Sequence, residues 1–190
     1  AFGLGSLLGF LAATMGGWVD QVLSRFVDVV ISIPTLIFAL IVLSSTGTSI
    51  LALVTVIAII YAMPVYRIAR AVAMDIEVMD YVEAARLRGE GLWWIMRKEI
   101  LPNALTPLAA EFGLRFCFVF LLISGLSFLG LGLQPPLADW GAMVRDNGGG
   151  IAWGFMHPLV PATCIALLTI GINLIVDSAV QKASGLREDH

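Results

Sequence analysis

Residues 29–66 contain no Asp, Glu, Lys or Arg, and an uncharged run of this length suits a lipid interior better than water. A bilayer core of about 30 Å takes about 20 apolar helical residues and tolerates few charges. The run is too long for one span. Its polar cluster Ser44-Ser45-Thr46-Gly47-Thr48-Ser49 divides it into two helices, at residues 29–45 and 50–66, joined by a short turn. Stretches of the same character predict further spans at about 1–17, 104–131 and 159–177. The expected fold is all-α: a polytopic helical membrane protein with five transmembrane helices and one domain over residues 1–190. The chain is apolar from its first residue, which is not Met, and has no basic start of the kind a signal peptide needs. A preceding helix is therefore expected. Only 13% of residues are charged, against about 25% in soluble domains, which argues against a soluble enzyme or a disordered regulator. A net charge of −3 leaves no basic footprint for nucleic acid. Cys117 and Cys164 lie in apolar runs and read as small buried hydrophobes.

Short cytoplasmic loops carry the excess of Lys and Arg. Arg25, Arg67, Arg70, Arg86, Arg88, Arg97, Lys98, Lys182 and Arg187 all fall on one side of the five spans, whereas the other side has Arg145. This places residues 67–102 and the C-terminus in the cytoplasm and residues 134–158 outside. Gly5, Gly9, Ala13 and Gly17 recur every four residues, a face that lets another helix approach closely, as tight packing or as a sliding contact. Pro34 and Pro64 are expected to kink or end their helices. Glu111 and Arg115, four residues apart in span four, are either a structural ion pair or residues lining a translocation path. Asp177, one turn after Asn173, reads as the polar end of span five. His157 has no second ligand at metal-binding spacing, so no metal site is expected.

Residues 67–102 concentrate charge in an otherwise apolar chain. Asp80 with Glu83 reads as an N-cap and capping box opening a helix over residues 81–88. Gly89 stands where a left-handed C-cap is least strained. A second short helix over residues 92–100, carrying Trp93 and Trp94, is expected to stop at Pro102. Ala84 and Ala85 give the first helix a smooth face suited to a groove. Helices this short need packing partners to persist. A P-loop needs Gly-Lys-Ser/Thr, but the two lysines are Lys98 in Arg-Lys-Glu and Lys182 in Gln-Lys-Ala. No ATPase activity is therefore expected of this chain.

Glu83-Ala84-Ala85, then Gly89, then Ile100-Leu101-Pro102 resemble the EAA loop of permease subunits in binding-protein-dependent ABC importers. Gly16-Gly17-Trp18-Val19-Asp20, Asp80-Tyr81-Val82, Leu101-Pro102-Asn103, Gly130-Leu131-Gly132, Gln134-Pro135-Pro136 and Asp139-Trp140-Gly141 further resemble its dipeptide, oligopeptide and nickel branch. The resemblance implies six spans in the full length. It makes Tyr81, Val82, Glu83, Ala84, Ala85, Arg86 and Gly89 a coupling helix that docks on an ATPase subunit. It also implies a second homologous permease subunit, one or two ABC ATPase subunits holding ATP and Mg2+, an extracytoplasmic solute-binding protein, and residence in the bacterial cytoplasmic membrane. Peptides are the expected substrate, with nickel or glutathione as alternatives; an ion-coupled secondary transporter is the alternative from another class. One departure concerns the family's isoleucine, commonly three residues before the proline. This chain has Glu99 there and isoleucine at Ile100.

Overall fold

The computed structural model describes residues 1–183; Arg187 and the side chain of Lys182, both counted above for orientation, lie outside the described residues. The helices are α1 (Phe2–Met15), α2 (Gly17–Ser32), α3 (Thr35–Thr46), α4 (Ile50–Glu77), α5 (Asp80–Leu87), α6 (Leu92–Ile95), α7 (Leu101–Phe128), α8 (Trp140–Asn147) and α9 (Leu159–Ala183). A π turn over Met96–Ile100 joins α6 to α7, and a 3₁₀ turn over Gly148–Trp153 follows α8. No strand occurs among the described residues.

Three rods are long and apolar enough to cross a bilayer: Ile50–Glu77, Leu92–Phe128 and Leu159–Gln181. The helices Gly17–Ser32 and Thr35–Thr46 are long and apolar enough only when taken together, and they bend sharply at the break, as a broken span or a re-entrant loop does. The continuous helix expected at 29–45 is therefore corrected: Pro34 offers no N–H, and Ile33 before it takes extended dihedrals (φ −82°, ψ 127°). The span expected at 1–17 is corrected to the apolar helix α1, whose 14 residues reach about 21 Å at 1.5 Å per residue, short of a bilayer core. Among the described residues, three rods, or four with the bent pair, therefore stand where five spans were expected. At the other proline, Pro64, the helix continues to Glu77, so Arg67 and Arg70 stand on α4 and not in a loop. The second short helix, expected over residues 92–100, likewise does not stop at Pro102. The backbone loosens ahead of the proline, with the Leu101 N–H bonding the Met96 carbonyl five residues back, and helix resumes.

The described chain forms two compact units, and the division passes within α4 and α7. In the unit of residues 1–33 and 58–112, α1 lies directly on α4. A Cβ on Gly5 would stand 2.4 Å from the Ala62 carbonyl oxygen, and one on Gly9 2.7 Å from that of Tyr66. Gly17 does not continue this face, because α1 ends at Met15 and both Gly16 and Gly17 take positive φ. Past that turn, α2 returns to α4 through polar groups. Arg70 donates from Nε and Nη2 to the two carboxylate oxygens of Asp20. Ser24 bonds Asp20 at 3.3 Å and the Tyr66 hydroxyl at 3.0 Å. Charge-assisted bonds of this kind contribute about 1.5–3 kcal/mol when removed from partly buried sites. Asp20→Ala and Arg70→Ala are each expected to lower the melting temperature of the detergent-solubilised protein, and the double variant is expected to lose less than the sum of the two. Strict additivity would show that the pair does not act as a unit.

In the unit of residues 34–57 and 113–179, α9 packs against α7. A Cβ on Gly113 would collide with the Val176 side chain at 2.3 Å, and the Cys117 thiol reaches the Thr169 carbonyl at 3.6 Å. The segment expected as an external loop, 134–158, holds α8 and the 3₁₀ turn. Asp139 caps α8 by accepting the Ala142 N–H at 3.1 Å. Gly141 lets α8 sit on the end of α7, where a Cβ would lie 2.1 Å from the Ser124 carbonyl oxygen. Arg145 donates to the Ser127 carbonyl at 3.3 Å, and the Phe120 and Trp140 rings meet edge to face at 6.3 Å. Asp177 is exposed, in line with the polar end read from the sequence.

Candidate functional site

The short helices α5 and α6 form an ordered elbow between the long helices α4 and α7. Met79, extended at φ −80°, ψ 143°, is the N-cap of α5, and no side chain caps it. The expected Asp80 and Glu83 capping box is therefore corrected. The Val82 and Glu83 N–H groups take the Met79 carbonyl at 2.9 and 3.3 Å, so Asp80 moves into the first turn. There it and Glu83 face the positive end of the helix. The C-terminal expectation holds: Gly89 has φ +82°. Its N–H bonds the Arg86 carbonyl at 2.9 Å and the Glu90 N–H bonds that of Ala85 at 3.2 Å, the pair of bonds of a Schellman turn.

Three-residue spacing then divides α5 into two faces. Val82 and Ala85 are fully buried, so Ala85 does not share an outward face with Ala84. They enter a core with Phe10 and Ala13 of α1, Ala69, Ala73 and Ile76 of α4, Ile95, and Ile100, Ala104 and Leu108 beyond it. The outward face carries Tyr81, Glu83, Ala84, Arg86 and Leu87, with Leu87 83% exposed and neighbouring Val78 80%. Sequence reasoning passed over these two apolar side chains, although their place in the most charged stretch marks them. Arg86 ties α5 to the end of α4 by donating from Nη2 to the Glu77 carboxylate, and the Arg88 guanidinium lies 5.8 Å from the Trp94 ring centre. At the departure from the family pattern, Ile100 is fully buried and Glu99 half-buried. With the wider π turn, the displaced isoleucine enters the core.

Glu111 is buried, at 7% exposure. Arg115 is half-buried, with its guanidinium 5.9 Å from the Phe118 ring centre. An open apolar groove of about 580 Å³, lined by Phe2, Ser6, Phe10, Met96, Leu105 and Phe112 among others, escaped the sequence reading because its walls are distant in the chain. No group of three metal-ligating side chains occurs among the described residues.

Residues 5–183 match the family described as binding-protein-dependent transport system inner membrane component. The chain is 34% identical over 175 residues to the probable D,D-dipeptide transport system permease protein of Escherichia coli (strain K12), covering 92% of this chain and 58% of that protein. Identity is 30% over 175 residues, with the same coverage, to the glutathione transport system permease protein of Pectobacterium atrosepticum. It is 34% over 174 residues to the di/tripeptide transport system permease protein of Pseudomonas aeruginosa, covering 91% and 57%. The chain thus spans a little over half the length of these relatives.

Proposed function

The chain belongs to the binding-protein-dependent transport system inner membrane components, and on that premise we propose that it is the membrane-spanning permease subunit of a bacterial ABC importer carrying di- or oligopeptides by alternating access. The observation that carries the reading is the two-faced α5. Tyr81, Glu83, Ala84 and Leu87 face outward to dock in a groove of an ATPase subunit. Val82 and Ala85 root the same helix among α1, α4 and α7. When the ATPase closes around ATP and Mg2+, a displacement of α5 passes to α4 through Glu77 and Arg86 and through the shared core. Packed interiors transmit strain of this kind because they resist compression. The coupling loop and the C-terminus lie in the cytoplasm. Residues 134–158 face the other side of the inner membrane, where an extracytoplasmic binding protein delivers the substrate. A second homologous permease subunit completes the path.

Peptides lead because two of the relatives above are named for D,D-dipeptide and di/tripeptide transport; the glutathione permease keeps glutathione, itself a small peptide, beside them. The test is purification of the full-length tagged protein from its native membrane in mild detergent. Co-purification of an ATPase and a second permease is expected, and the ligand of the accompanying binding protein then names the substrate. A protein that comes out alone or self-associated would overturn the reading in favour of an ion-coupled carrier built around Glu111.

A further inference from the structure

Beyond α8, four large apolar side chains within six residues face outward: Ile151 at 58%, Trp153 at 83%, Phe155 at 55% and Met156 at 69% exposure. The fold holds them there. Gly154, at φ +77°, closes the 3₁₀ turn, its N–H on the Ile151 carbonyl at 3.0 Å, and the Phe155 N–H returns to Gly150 at 2.9 Å. The Phe155 and His157 rings lie 5.6 Å apart, the Leu159 N–H bonds the Met156 carbonyl at 3.0 Å, and Pro158 is fully buried at the start of α9. Such ordered apolar exposure marks a contact surface.

The charge pattern identifies the contact. No Asp, Glu, Lys or Arg stands between Asp146 and Asp177, so the apolar surface of the turn runs without a charged break into α9. That helix is apolar enough to span a bilayer and exposes Leu159, Val160 and Leu167. A protein-binding patch would be rimmed by polar groups. Here the surface continues into lipid, and a tryptophan with a phenylalanine at such a junction suits the headgroup level of a membrane. We infer that residues 151–156 lie in the bilayer interface and anchor the entry of α9, with Trp153 and Phe155 at the headgroup–acyl boundary. Residues 134–147, which carry Asp139, Arg145 and Asp146, are left in water for the binding protein. The assignment to the outer leaflet rests on the orientation proposed above.

The test places a nitroxide label at Ala152→Cys or Met156→Cys, which leave Trp153 and Phe155 in place, in a Cys117→Ser/Cys164→Ser background of the full-length permease assembled with its partners in nanodiscs. Collision with oxygen is expected to exceed collision with a water-soluble nickel chelate severalfold at both sites, and the order is expected to reverse at Asp146→Cys. Nickel access at residue 152 equal to that at 146 would overturn the inference, as would low access to both reagents there, which would mean a protein contact. Orientation is read separately, by an impermeant thiol reagent on Asp146→Cys in intact cells. Labelling only in inverted vesicles would reverse the sidedness and leave the interfacial placement standing.

Discussion

Replacing Gly9 with leucine is expected to force α1 off α4 and destabilise the helical bundle. A Cβ at Gly9 would lie 2.7 Å from the Tyr66 carbonyl oxygen, 2.8 Å from the Arg70 backbone nitrogen and 2.9 Å from the Ala69 Cβ. None of these can rotate aside, so α1 and α4 must separate. Overpacking of this sort costs about 1–3 kcal/mol, occasionally more. It also pushes on the segment of α4 that presents Arg70 to Asp20, so the polar fastening of α2 is strained together with the apolar contact. The informative control is Gly3, on the same helix, where an added Cβ meets nothing within 4 Å. Alanine there replaces a flexible residue in the first turn of the helix and is expected to be neutral or slightly stabilising, by less than the roughly 0.5–1 kcal/mol of a helix interior. Thermal unfolding of purified Gly9→Ala, Gly9→Leu and Gly3→Ala in one detergent measures the series. Equal melting temperatures for Gly9→Leu and Gly3→Ala would show that the helices do not rely on the close approach.

The glycine repeat shows how far the sequence was legible. Spacing of four identified Gly5 and Gly9 as a contact face, because a straight helix carries that period without help from its surroundings. It failed at Gly17, where two consecutive positive-φ glycines end the helix, a backbone event that residue spacing does not encode. The prolines divide in the same way. Pro34 breaks its helix, whereas Pro64 and Pro102 stand within helical rods. What decides between these outcomes is whether neighbouring structure holds the chain across the gap. Around Pro102 a buried core including Met96, Ile100 and Ala104 does so. Helix α5 was legible in its C-terminal end, at Gly89, and in its charge; its N-terminal cap was not, because Met79 rather than Asp80 takes that place. Its facing was not, because Glu-Ala-Ala reads as one small surface until Val82 and Ala85, three residues apart, are seen to enter the core together.

Gly89→Val acts on that helix by a different route. Nothing lies within 4 Å of a Cβ placed at Gly89, so the substitution meets no steric obstacle, and its whole cost is the φ of +82°. A β-branched residue held in that region costs about 1–3 kcal/mol. The turn is expected to relax by giving up the bonds from Gly89 to Arg86 and from Glu90 to Ala85, which lets the last turn of α5 fray and moves Leu87 and Arg88. Val82, in the first turn, stays in the core, and the contacts that the last turn makes with the spans, through Ala85 and the Arg86–Glu77 pair, are a small part of the bundle, so membrane insertion and melting temperature are expected to stay near those of the unaltered protein while ATPase co-purification falls about tenfold, the equivalent of about 1.4 kcal/mol. Gly89→Asn is expected to fall between the two, since asparagine tolerates the left-handed region. Full ATPase association and full transport in Gly89→Val would remove α5 as the docking element. Loss of the spans together with the ATPase would show instead that the elbow holds the bundle together, because only a docking role separates the two readouts.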